Sequence, residues 1–559
     1  MRYLLFIILV ALVQTVNAQD NWENPKTSEM EDSQIIIEKN RQIELPRATR
    51  NFQQVPKIKK DSIQVPVTFT IKEFQPTLNS IKPKIRVLTV QDEKLDKLYA
   101  NQVKAGLGNY GATYLEAFLA NKRNKNQSYG LHFNHQSFAK GAVDGNNSGS
   151  GYQLVKPYGK LIFDKTVVEA DAFYERHNNY LYGYDSTVTE IDRDSIQRTY
   201  HTVGASINLK DRNLEDAYQY GIGLELYQLF SNYEAGEGSF DYSITNSFEL
   251  SEEFEVFLNS DGFFSKHQFN DNEYSRNRSL FRIKPGVSYE LGKLRINGGF
   301  NFVYENDTLE SMNRLHVYPD VSLEYSLLAK VSAKAGIRGD VREVRLRNLL
   351  AENPYLNDSV VLSNTLMPFE LYGSVYGSFS SMLGFDAGFS IASVKNNYGY
   401  VPDNVYPEIF NPVYFSGNNT EINIYAGLTA QLNPDWKAAL RADYFYFNLD
   451  NGLEMPYRPG TQLVFNTDYL IAQKLTIGLN GHFQGSMNPG FTPTTDTPNL
   501  NDEGEIPAIF DLGLKFDYKL SDRSHVFLHA NNLIAKEYQY YYNYPNRGFR
   551  ILAGFIYSF

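Results

Sequence analysis

The feature that most limits what this chain can fold into is the way its connections sort by length. From about Gln102 to the last residue, alternating segments of roughly ten residues are joined first by a tight link and then by a long one. The tight links include Asn121–Asn126, Phe163–Thr166, Leu250–Glu253, Glu290–Lys293, Asn433–Trp436, Ala472–Lys474 and Leu520–Arg523. The long ones are polar and rich in Asn, Asp and Gly. They include Ser137–Gly151, Asn178–Arg198, Ser265–Arg278, Arg342–Met367, Lys395–Asn419, Gln484–Pro507 and Lys536–Arg547. A soluble sandwich or propeller has no physical reason to sort its loops by parity. A transmembrane barrel does, because one rim carries tight turns and the other long loops.

The segments have the matching two-faced pattern. In "AIFDLGLKFDYKL" (Ala508–Leu520), Phe510, Leu512, Leu514, Phe516, Tyr518 and Leu520 share one side, while Asp511, Gly513, Lys515, Asp517 and Lys519 share the other. That period of two defines a strand. "YQYGIGLEL", "GFDAGFSI" and "KLTIGLNGHF" repeat it with small residues and glycine on the polar side, as a crowded, curved lumen wall tolerates. The expected fold is therefore all-β: a transmembrane antiparallel up-and-down β-barrel of about 22 strands over residues 100–559. With an even strand number and a tight last turn, both chain ends are expected on the periplasmic rim of a Gram-negative outer membrane, with the long loops outside.

The first residues read as an export signal: Arg2, the apolar "YLLFIILVALV", then the small-residue site "VNA" ending at Ala18. Residues 1–18 are assigned to it. Residues 19–99 differ from the barrel. They carry a Lys-rich stretch at Pro56–Ser62, scattered prolines, one alternating run at Ser62–Ile71 and a plausible helix at Gln91–Ala100. They are expected to form a short periplasmic or lumen-filling segment.

With no cysteine, disulfides and thiolate chemistry are excluded, and a net charge of −11 argues against a nucleic-acid partner. The nine histidines are scattered. His525 and His529 share a strand face, but four residues along a strand separate them by about 13 Å, too far for one metal ion. No nucleophile, phosphate-loop or metal motif stands out, so neither an enzyme nor a cofactor is expected. The partners expected are outer-membrane lipid and the barrel assembly machinery. In "RGFRILAGFIYSF", Phe555, Tyr557 and Phe559 lie on the lipid side of the closing strand as the assembly signal, and that strand is expected to pair with the first near Gln102–Tyr110.

The end of the chain, "HANNLIAKEYQYYYNYPNRGFRI", resembles the close of TonB-dependent receptors, with Asn532, Leu533, Lys536, Tyr538, Pro545, Arg547 and Phe549 at the matching positions and "IAK" in place of Phe-Asn-Lys. The loops and "KAGLGNYGATYLEAFLANKR" look like proteins of the Bacteroidota. The resemblance implies a 22-stranded outer-membrane barrel that binds or passes a solute. It also implies a plug domain, for which residues 19–99 are small and show no plug signature, so TonB-driven uptake is not expected. Ser62–Ile71 reads as a strand packed in the lumen or on the rim in preference to a TonB-binding segment. A wide barrel without a plug leaks unless the N-terminal segment, the loops or a partner fill it. The alternative function is therefore a non-transporting subunit of an outer-membrane assembly or secretion complex, bound to another outer-membrane or periplasmic protein. Glu225, Asp386, Asp511, Lys515 and Asp517 are candidates to line the lumen. Tyr538, Tyr540, Tyr541, Tyr542 and Tyr544 are expected as an extracellular aromatic loop, either stacking on sugars or a partner, or packing at the rim.

Overall fold

Hydrocarbon offers no hydrogen bonds, so a sheet that crosses it has to close on itself. In the computed structural model it does. The structure describes residues 99–559, apart from 123, 185–190, 214, 270–272, 308–313, 492–499 and 502. The export signal and almost all of the 19–99 segment therefore lie outside the described residues. Twenty-two strands pair antiparallel with their neighbours, from Gln102–Gly108 to Arg550–Ser558. The last strand then pairs with the first, from Gln102 opposite Ser558 to Gly108 opposite Leu552. Asn101 and Phe559 complete this seam with reciprocal backbone bonds of 3.2 and 2.9 Å.

One rim carries only tight connections, among them 163–165, 252–253, 292–293, 329–330, 434–435 and 520–523. The opposite rim carries 139–149, 181–196, 343–364, 396–418, 449–460, 485–508 and 532–549. The 396–418 connection holds its own hairpin, Asn397–Pro402 against Phe410–Phe415. The expected long loop at Ser265–Arg278 is corrected. Its strands run on to Phe269 and resume at Tyr274. The polar residues that suggested a loop lie on strands whose outward face has turned hydrophilic, as at exposed Lys266 and Asn277.

Burial is inverted relative to a soluble protein. Leu107, Leu226, Phe300, Leu323, Ile424 and Phe510 are exposed, as part of an apolar surface that runs round the barrel. No soluble monomer leaves such a surface to water. Phe555, Tyr557 and Phe559 belong to it, as do Tyr444, Tyr446 and Tyr518. Leu514 shares its strand face with Phe510 and Tyr518, and Asp517 lies on the other. A Leu514→Arg substitution is expected to cost about 2–4 kcal/mol of folding free energy in lipid bilayers. Asp517→Arg should cost far less, and equal losses in a urea titration would reverse the face assignment.

The glycines of the inner face have a packing role. A Cβ at Gly388 would come within 2.8 Å of the Tyr425 ring. At Gly554 it would strike both the Phe527 ring and the Ala105 carbonyl oxygen. Phe527, buried, thus lies across the seam in a notch that Gly554 and Gly106 leave open. Gly554→Val should destabilise the closed barrel by about 1–3 kcal/mol through overpacking. The expected readout is a lower midpoint for the shift from the compact to the unfolded band on heated gels.

Candidate functional site

The long connections converge on one another. Leu229, Ala235, Val344, Leu346, Leu349, Leu356, Val360, Leu362, Tyr400, Phe410, Tyr457, Met487, Ile506, Tyr542 and Tyr544 form a single buried apolar cluster. Apart from Leu229, which lies near the end of its strand, they come from six connections rooted around the wall, after the strands ending at Ser231, Arg342, Lys395, Asn448, Gln484 and Asn531. A core shared by loops with such separated roots lies across the mouth of the barrel.

Connection 343–364 goes further and enters the lumen. Its short helix, Leu346–Glu352, is entered through "REVRLRN". Arg347 bonds Glu225 at 3.0 Å and Glu175 at 3.4 Å. Glu225 lies six residues inside the strand that ends at Ser231, about 20 Å along it at the usual rise. Its neighbour Leu226 faces outward, so Arg347 reaches Glu225 from within. Arg345 bonds Ser239 Oγ at 2.7 Å and Asp241 at 3.1 Å, and its guanidinium lies 3.6 Å from the centre of the Phe263 ring. Glu343 bridges Arg345, at 2.9 Å, to Arg282, at 3.0 Å. Arg282 also holds Asp261 and Asp340. The Leu346 N–H donates to Glu237 at 2.9 Å, so a wall carboxylate meets the helix N-terminus. At the other end of the helix Glu352 is held by the Arg458 guanidinium and by the Tyr398 hydroxyl at 2.8 Å. Arg278 donates to Val344 O at 2.6 Å and to Asp307 and Asn364 at 2.8 Å, in full burial.

The wall beneath is not uniformly polar. Phe263, Leu280, Val303, Tyr318, Val341 and Leu366 make a buried apolar band on its inner side. The result is an inserted loop whose cationic side chains are matched to wall carboxylates and whose leucines are matched to apolar loops above.

Of the candidates read from sequence, Glu225 is one anchor of this insertion. Asp386 pairs with Arg441 at 3.0 Å, away from it. Asp511 accepts from the Asn532 backbone N–H at 2.9 Å, from the Tyr538 hydroxyl and from Arg550, and so pins the last hairpin. Asp517 lies 3.9 Å from His529 Nε2, and Lys515 lies beside Gly478. These five are dispersed and form no common site. Of the two readings of the Tyr-rich loop, its rings take the packed one. Tyr538, Tyr542 and Tyr544 are buried, and Tyr540 is half-buried against Tyr538. The Tyr544 ring stacks on Tyr355 at 3.5 Å, and the Tyr541 hydroxyl donates to Glu352 O at 2.8 Å. The rings face inward because the other loops supply them with apolar partners. Among the described residues no cluster of three or more His, Cys, Asp or Glu is placed to hold a metal ion.

The closing motif acquires a structural reason. Asn532, fully buried at φ +50°, donates to Lys536 O at 2.9 Å and Arg547 O at 3.3 Å, joining both ends of the loop. Arg547 then reaches the 139–149 connection and the strand after it, donating to Lys140 O and Ser150 Oγ, both at 2.9 Å.

This closed, 22-stranded antiparallel cylinder, with an apolar exterior and long loops on one rim, matches the barrels of TonB-dependent receptors in fold. The solved structures it resembles include the FrpB iron transporter from Neisseria meningitidis, at a TM-score of 0.62 and 11% identity, covering 83% of this chain and 82% of that one. The ferric-catecholate import receptor Fiu from E. coli K12 matches at 0.59 and 10% identity, over 83% and 82% of the two chains. The copper transporter OprC matches at 0.59 and 13%, over 82% and 80%. Identities this low carry the fold alone. No family model and no curated protein matches the sequence.

Proposed function

We propose that this chain is an outer-membrane barrel that binds or passes a solute and is held shut at rest by its own long loops. The observation that carries the reading is the insertion of Glu343–Asn364 into the lumen, anchored on the wall residues Glu175, Glu225 and Arg282 and covered by the shared loop core. Buried ion pairs of this kind are costly to form and costly to break singly, which suits a closed state that yields as a unit. The fold shared with iron and copper transporters supports a role in solute recognition, with the long loops outside and both barrel ends on the periplasmic rim.

The test is planar-bilayer conductance of the purified chain with and without residues 20–95. Both forms are expected to stay silent, because the seal lies in the loops. A large steady conductance from the intact chain would refute the closed state. Conductance only after truncation would move the seal to the N-terminal segment. The tightly packed mouth also favours a second reading, a non-transporting subunit of an outer-membrane complex. A stable stoichiometric partner retained through purification, with no conductance under any condition, would favour that reading.

A further inference from the structure

The outer wall near the long-loop rim holds a recess of about 830 Å³, on the face that meets lipid. Strand register arranges its lining in two rows. The lower row runs Leu226, Phe240, Phe264, each opposite the next and each exposed. Beneath it the Phe281 ring meets Phe264 edge-on at 4.7 Å and continues the apolar path. The upper row runs Gln228, Gly238, Lys266, Asn277, again each opposite the next. Gln228, Lys266 and Asn277 are exposed, and Gly238 leaves the gap between them. This row lies three residues inside the strand ends at Ser231 and Phe269, about 10 Å at the usual rise.

The lipid face of a barrel carries a cation cheaply only near an interface, so the upper row marks the headgroup level and the lower row the start of the hydrocarbon. None of the residues lining the recess is acidic. A metal ion or a cationic headgroup would therefore meet only Lys266. A neutral lipid would leave the Lys266 ammonium without a counter-charge. A lipid with an anionic headgroup satisfies both rows. Residues directly opposite on paired strands have Cβ atoms about 5 Å apart, so the Lys266 ammonium and the Asn277 amide can donate to one phosphate group. We propose that this recess binds a phosphate-bearing lipid of the leaflet on the long-loop side, with its phosphate on Lys266 and Asn277 and an acyl chain laid across Leu226, Phe240 and Phe264. The site lies outside the barrel wall and is independent of whether the barrel conducts.

The test uses the full chain, stripped of lipid in tetraethylene glycol monooctyl ether. Native mass spectrometry is recorded with dipalmitoyl phosphatidic acid, dipalmitoylglycerol or inorganic phosphate at micromolar concentration. Phosphatidic acid should stay bound, and dipalmitoylglycerol should bind about tenfold or more weakly. Lys266→Gln should weaken phosphatidic acid binding by about the same tenfold factor, and Lys266→Arg should keep it. Gly238→Leu fills the recess and should also weaken it. Lys266 is exposed, and a side chain at Gly238 first meets the far end of Gln228, which can swing aside, so the variants keep the barrel intact. The compact band on unheated gels checks folding. Equal binding of dipalmitoylglycerol, phosphatidic acid binding unchanged in folded Lys266→Gln and Gly238→Leu, or a response to inorganic phosphate alone would each overturn the assignment.

Discussion

Replacing residues 343–364 with a short Gly/Ser turn should convert a silent barrel into a conducting one. The strands on either side, Val331–Arg342 and Thr365–Ser378, pair directly through Arg342 and Thr365, so a tight hairpin fits their register. The replacement removes Val344, Leu346, Leu349, Leu356, Val360 and Leu362 from the loop core, and Arg345 and Arg347 from the lumen. Asp241, Glu225 and Glu175 then face an aqueous interior, so the open state should favour cations. Single-channel recording on the intact and shortened proteins gives the comparison. Persistent silence of a folded, shortened barrel would show that another element fills the lumen.

The second large effect is expected at Arg278. Its ion pair with Asp307 is almost completely excluded from solvent, and the Asp307 carboxylate also accepts from the Asn364 N–H at 2.6 Å. Removing the cation leaves a buried anion uncompensated, so Arg278→Ala should cost about 3–5 kcal/mol, measured as a lower urea midpoint in liposomes. The double variant Arg278→Met, Asp307→Asn should recover most of the loss, because it removes both charges while keeping much of the volume. A double variant no more stable than the single one would place the energetic weight of Arg278 in its bonds to Val344 and Asn364.

What was legible in the sequence follows from where each pattern finds its partner. The wall was readable because its determinant is local. Every second residue meets lipid, so Leu512, Leu514 and Phe516 declare their face without reference to anything distant. The seam was readable for the same reason, since closure forces the last strand onto the first. The loop core was not. Leu346, Tyr400, Ile506 and Tyr544 belong to separate polar loops, and their contacts join residues scattered from Leu229 to Tyr544. The Tyr-rich loop stayed open between exposure and packing because nothing in its own stretch could cover it. "REVRLRN" did carry a signal, as basic residues spaced through the start of a long loop are unusual enough to ask which carboxylates they meet. The answer lies on strands more than a hundred residues upstream, as for Arg347 and Glu225.

The reciprocal bonds between Asn101 and Phe559 make the cylinder a ring in which no strand is privileged as first or last. A gene rearranged to join those two positions by a short linker, and cut anew inside a tight turn such as 472–474, encodes the same circular order of strands. Its point of entry into the membrane would change, while the inserted loop and its carboxylate anchors would meet as before.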